Sequence, residues 1–278
     1  METHTQAVAG HYDQDDIAGA IRAALQRAGK DLDALTIDDL APADEVHTRG
    51  RKATEEVASL TTFAPEMEVV DVGSGVGGPA RYLAQTFGCR VTGIDLTPAF
   101  SAAANALTEL VGLADRVRFE TGSALEMPFD GGRFDRAWTV QMQMNIADKP
   151  RLYGEIHRVL KPGGRLVFQD IVEGPGGPLI LPVPWASEAG HSHLVPAGAL
   201  RAAVLDAGFK EVLWRDISEA QRDWTRRQGE KPKPETPPEV DIHLVLGPDT
   251  TLKRANSSQC LMEDRIGFVQ GVFEKVSG

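Results

Sequence analysis

The residues of this chain best suited to chemistry crowd into one stretch, Val69-Val70-Asp71-Val72-Gly73-Ser74-Gly75-Val76-Gly77-Gly78-Pro79. The β-branched residues read as a buried strand and the glycines as a tight turn. Pro79 suits the first turn of a helix, where a missing N–H costs nothing. A strand, a glycine turn and a helix start together aim backbone N–H groups and a helix dipole at a small polar ligand. Glycine is required because a Cβ would block both the turn and the approach of that ligand.

Two readings fit the spacing. Gly73, Gly75 and Gly78 satisfy the G-x-G-x-x-G fingerprint of dinucleotide sites, whereas Asp71 through Gly77 satisfies the D-x-G-x-G-x-G loop that holds S-adenosylmethionine. Residues 89–94 read as a second strand with Asp95 at its exit, near the spacing of a ribose-binding carboxylate, which suits either nucleoside. Asp95 also suits the cap of a helix ahead of Pro98, and the two roles are compatible.

The segments Gly122-Ser123-Ala124-Leu125-Glu126-Met127-Pro128-Phe129, Phe134-Asp135 and Arg158-Val159-Leu160-Lys161-Pro162-Gly163-Gly164-Arg165-Leu166 follow. With the glycine loop they resemble the class I S-adenosylmethionine-dependent methyltransferases. The likeness is to the small-molecule branch of sarcosine/dimethylglycine N-methyltransferases, sterol and tocopherol C-methyltransferases and prenyl-diphosphate methyltransferases. That branch carries G-x-G-x-G-G-P-x-R, matched by Gly73 to Arg81, and the likeness spans roughly residues 40–216. Nicotinamide enzymes do not usually carry Asp71 at the first strand exit or the Leu-Lys-Pro-Gly-Gly turn.

The resemblance implies S-adenosyl-L-methionine as cofactor and methyl transfer to carbon or nitrogen of a small metabolite. It also implies a doubly wound α/β fold with a seven-stranded, mostly parallel sheet whose last strand is antiparallel. Cofactor contacts are then expected from Asp71, Gly73, Ser74, Gly75, Asp95, Leu96, Ser123, Ala124, Val140 and Gln141. Two positions depart from the branch: Ser123 stands where an Asp usually accepts from the adenine, and Val140-Gln141 where Gln-His is common. Residues 1–60 would form an N-terminal helical lid and 61–278 the methyltransferase domain, with a cap insertion over 218–264.

The sulfonium methyl is already activated, so the protein mainly aligns a nucleophile, an orientation effect that can reach about 7–11 kcal/mol. A tertiary amine needs no base, whereas a hydroxyl or a carbocation must lose a proton. Asp170, at the exit of the fifth strand, is the candidate base, and a capping or ion-paired Asp is its plainer reading. Gln141 and His47 are the other catalytic candidates, for orienting or touching substrate; each also suits a purely structural place. Tyr12, Trp185 and Trp224 could face a cation with their rings, or simply fill core. His191-x-His193 lacks a third ligand, so no metal is expected, and His157 reads as a packing residue.

A formal charge of −11 over 278 residues argues against a polyanionic partner, and no basic run is interleaved with aromatics. Two cysteines without a C-x-x-C pair suit a reducing compartment. With no apolar leader and no apolar run long enough to span a membrane, a cytoplasmic location is expected, with no membrane partner. Apolar spacing predicts a helix from Ile17 to about Gly29, an acidic turn-rich stretch over 30–47, and a helix through about Thr62. Strands are expected over 116–120, 134–140, 165–171, 209–216 and 267–275, and helices after Thr97 and over 151–160, 196–207, 218–229 and 239–264. A linker spans 231–238. Three rivals remain at this stage: a cyclase or isomerase that keeps its cofactor, a nicotinamide oxidoreductase, and a non-catalytic binding module.

Overall fold

The computed structural model describes residues 16–232 and 236–276, so Tyr12 lies outside the described residues. Five apolar runs form parallel strands: β1 (Glu68–Val72), β2 (Arg90–Asp95), β3 (Val117–Thr121), β4 (Phe134–Val140) and β5 (Leu160–Glu173). With β6 (Phe209–Asp216) and β7 (Ile266–Lys275) they make a seven-stranded sheet ordered β3-β2-β1-β4-β5-β7-β6. β7 is antiparallel to both of its neighbours, as expected for the last strand. The strand order reverses between β1 and β4, and ligands gather at such switch points, outside the carboxyl ends of the strands.

Ten α-helices are described, in chain order α1 (Ile17–Arg27), α2 (Ile37–Asp44), α3 (Arg51–Ala58), α4 (Gly78–Phe87) and α5 (Pro98–Leu110). They continue as α6 (Lys149–Val159), α7 (Ala197–Asp206), α8 (Ser218–Gly229), α9 (His243–Leu246) and α10 (Thr250–Met262). β1 is buried on both faces, as a central parallel strand must be. Val70 and Val72 pack with Tyr153 and Ile156 of α6, while Val69 packs with Leu83 and Ala84 of α4.

Three local expectations are corrected. The stretch over 30–47 contains α2, opened by a capping box in which the Thr36 N–H donates to Asp39 Oδ2 at 2.9 Å. The Gly163-Gly164 turn lies within β5, Gly163 taking φ +75° beside a register irregularity in the β4 pairing. The helical stretch over 239–264 is split in two by Gly247 at φ +85°. α8, α9 and α10 all lie between β6 and β7, where the insertion was expected.

Candidate active site

The glycine turn is welded to the exit of β2. Gly73 and Ser74 donate their N–H groups to the Ile94 carbonyl at 2.8 and 3.1 Å. Asp95 Oδ2 then accepts from Gly75 N at 2.8 Å, and Oδ1 accepts from Thr97 N at 2.9 Å. Thr97 takes the cap position of α5 without a side-chain cap bond. A carboxylate oxygen can accept more than one hydrogen bond, so Asp95 can take a ligand hydroxyl beside these backbone partners.

This corner forms one end of a cavity of about 700 Å³, within the ~300–1,000 Å³ usual for small-molecule sites. Every cofactor residue nominated above, from Asp71 on β1 to Gln141 after β4, borders it, and so does His47. A Cβ on Gly75, which takes φ +52°, would meet nothing within 4 Å, so this backbone faces open space. Ser74 Oγ, Asp71 Oδ2 and Gln141 Nε2 are buried without a hydrogen-bond partner among the described residues. Burial and the neighbouring Asp95 charge push the Asp71 carboxyl up to about 8. Ser123, standing where an Asp was expected, accepts from Leu125 N at 3.2 Å.

The N-terminal helices form the roof. Gly78 lets the end of α2 come close, because a Cβ there would lie 2.5 Å from the Asp44 carbonyl oxygen. Arg81, the last residue of the glycine motif, is fully buried and donates to Asp44 Oδ2 at 2.8 Å, the Val76 carbonyl at 2.5 Å and Thr108 Oγ1 at 2.9 Å. The motif arginine thus ties α2 and α5 to the glycine turn. Between α2 and α3, Thr48 donates its N–H and its hydroxyl to Gln141 Oε1 at 3.1 and 3.2 Å. Arg49, Gly50 and Gln141 all have positive φ (73°, 52° and 51°), so the two strands of this contact are both sharply turned.

His47 borders the cavity with its tautomer set by neighbours. Thr54 gives its hydroxyl proton to Glu45 Oε2 at 2.6 Å, so Thr54 Oγ1 can only accept from His47 Nε2 at 3.2 Å. Nε2 also lies 3.1 Å from the Gly50 carbonyl. Nε2 therefore carries the proton and Nδ1 the lone pair, and burial pushes the imidazole down to about 4.

The structure places Asp170 away from the cavity: it is 1% exposed, and its oxygens accept from Ile171 N at 3.0 Å and Gln143 N at 3.3 Å. Burial pushes it up to about 7, and its place is to hold the β4 exit loop. Lys149, which nothing in the sequence singled out, does the same from the other side. It donates to the carbonyls of Gln143 at 2.7 Å, His193 at 2.9 Å and Ile146. The His191-x-His193 segment is thus a loop tie, and among the described residues no three His, Cys, Asp or Glu gather for a metal. His157 stacks edge-on to Phe209, as a packing residue.

The far end of the cavity is bordered by Met144, Trp185, Trp224 and Phe268, and by one face of α10. That face is Arg254, Ser257, Ser258 and Leu261, the i, i+3, i+4, i+7 spacing of a helix. Trp185 is held by its indole N–H, which donates to Ser192 Oγ at 3.0 Å.

The fold is Rossmann-like, and residues 70–168 match the family described as a methyltransferase domain. It is 43% identical over 100 residues to a probable chloroplastic tocopherol O-methyltransferase of Oryza sativa subsp. japonica, covering 36% of this chain and 28% of the relative. It is 28% identical over 178 residues to a glycine/sarcosine/dimethylglycine N-methyltransferase of Actinopolyspora halophila, covering 64% and 32%. The chain therefore spans about a third or less of the length of either relative. The fold matches geranyl diphosphate C-methyltransferase from Streptomyces coelicolor A3(2), with a TM-score of 0.69, 20% identity and 98% of each chain covered. The open glycine turn, the Asp95 carboxylate and the three orphaned polar atoms have the chemistry to hold S-adenosylmethionine.

Proposed function

We propose that the protein transfers the methyl group of S-adenosylmethionine to carbon or nitrogen of a small metabolite. The observation that carries this reading is the convergence of the glycine turn, Asp95 and Gln141 on one cavity with room beyond them for an acceptor. The cofactor supplies an electrophilic methyl group. Asp95 accepts the ribose hydroxyls while its other lone pairs hold Gly75 and Thr97 in place. Ser123 and Ala124 flank the adenine, and Ser74, Asp71 and Val140 surround the amino-acid end. Gln141, pinned through Oε1 by Thr48, turns its amide nitrogen to the bound molecules.

Residues 1–60 act as the lid and 61–278 as the catalytic domain, with 218–264 as its cap. The support is the ring of contacts from α2 and α3 to the glycine turn and to Gln141. Where the acceptor must lose a proton, His47 Nδ1 is the base, because its neutral form persists at neutral pH. The reading extends to a cytoplasmic protein without nucleic-acid or membrane partners. It is supported by the net charge, by two buried free cysteines, and by the finding that no described helix is long and apolar enough to cross a membrane.

The test is incubation with methyl-labelled S-adenosylmethionine and a metabolite panel. Label in a product heavier by one methylene unit, with equimolar S-adenosylhomocysteine, is the expected result. Turnover without label transfer would instead identify a cyclase or isomerase, and the family match already argues against a nicotinamide enzyme.

A further inference from the structure

Most ionised side chains bordering the cavity have a partner of opposite charge within the protein. Arg51 pairs with Asp38 at 2.8 Å and with Glu45 at 2.6 Å. Asp44 pairs with Arg81, and Arg49 with Glu56. At the far end, Arg254 and Asp241 face each other at 3.9 Å. Among the carboxylates bordering the cavity, Asp71 and Asp95 are the two without a cation within 4 Å, and both stand at the glycine turn.

The far end also has a direction. Along α10, Arg254 and Ser258 are exposed, Ser257 is half-buried and Leu261 is 2% exposed. Met144, Trp185, Leu261 and Phe268 belong to one apolar cluster, and each borders the cavity. A molecule lying along this face passes from hydroxyls at the rim to a dry aromatic floor. A zwitterion or a phosphate ester would lose its hydration on that floor and find no charge there in exchange.

We infer that the acceptor is an elongated, uncharged and mainly apolar molecule with an oxygen-bearing end at Ser257 and Ser258. This deepens the methyltransferase reading and rests on it. It separates this chain from amino-acid and phosphobase methylation, for which the apolar floor offers no partner.

The experiment is calorimetry on protein saturated with S-adenosylhomocysteine, titrated with n-alkanols from butanol to decanol, with sarcosine and with phosphoethanolamine. The expected result is a Kd that falls about fourfold per added methylene, the increment of burying one CH₂, with no saturable heat from the two charged compounds. The half-buried Trp224→Asp variant is expected to weaken decanol at least tenfold while S-adenosylhomocysteine binds as before. Alkanol affinity independent of length, saturable binding of sarcosine or phosphoethanolamine, or an unmoved Trp224→Asp overturns the acceptor inference alone. Failure of S-adenosylhomocysteine to bind overturns the methyltransferase reading and the inference with it.

Discussion

Thr48 grips Gln141 twice, its backbone N–H and its hydroxyl both donating to the same Oε1 atom, across 93 residues of chain. One end of the contact belongs to the roof over the cavity and the other to the exit of β4. The segment between α2 and α3 and the sheet are thus coupled at the cavity wall.

Gln141→Ala removes both bonds, each contributing about 0.5–1.5 kcal/mol. S-Adenosylhomocysteine affinity is expected to fall roughly tenfold while the far-ultraviolet circular dichroism stays native. Unchanged affinity would mean that the roof is held in place without this contact.

Asp95→Asn keeps the shape but loses the charge that holds Gly75, Thr97 and the proposed ribose. With charge-assisted hydrogen bonds at about 1.5–3 kcal/mol, affinity for S-adenosylhomocysteine is expected to drop roughly ten- to a hundredfold by calorimetry. A variant that binds as tightly as the parent would remove Asp95 from the site.

Asp71 gives a pH signature. Its carboxyl is raised from 3.8 to about 8 by burial and then by the Asp95 charge. The folded protein keeps a proton there that the unfolded chain releases near 3.8, so this group lowers stability as pH rises from about 4 to about 8 and no further above that. Urea titrations at several pH values should show Asp71→Asn gaining on the parent across that window. A constant difference between the two proteins would contradict the assignment.

His47 has the opposite sign. Its pKa is lowered from 6.5 to about 4 by burial, so its contribution to stability is gained as pH rises through that interval and is complete above 6.5. As a base it is already deprotonated at pH 6, and turnover on an acceptor that must lose a proton should show no acid limb near 6.5. His47→Asn should slow that reaction about a hundredfold or more with S-adenosylhomocysteine binding retained. Full activity in the variant would leave His47 a packing residue.

Arg81 tests the anchoring of the roof. Arg81→Met leaves the buried Asp44 carboxylate without its cation, a change that typically costs about 3–5 kcal/mol. Equilibrium denaturation should register a loss of that size, and a loss below about 1 kcal/mol would show that Asp44 finds another partner.

The sequence by itself determined the sheet and the cofactor end of the site. Those features are local: β-branched runs, a glycine turn and an acid at the next strand exit lie close in the chain and fold onto one another through neighbouring strands. Even α2 left a local mark, the Thr36-x-x-Asp39 box, under an acidic composition that reads as turn. Tertiary structure alone decided which side chains face the cavity. Asp170 lies within β5 and Gln141 just past the end of the adjacent β4, yet backbone N–H groups capture Asp170 beneath the loop while Thr48 holds Gln141 at the cavity. The buried ion pair beside the glycine turn likewise joins Asp44 and Arg81, which lie 37 positions apart. Such pairings depend on how helices pack across the sheet, and no spacing in the sequence records them.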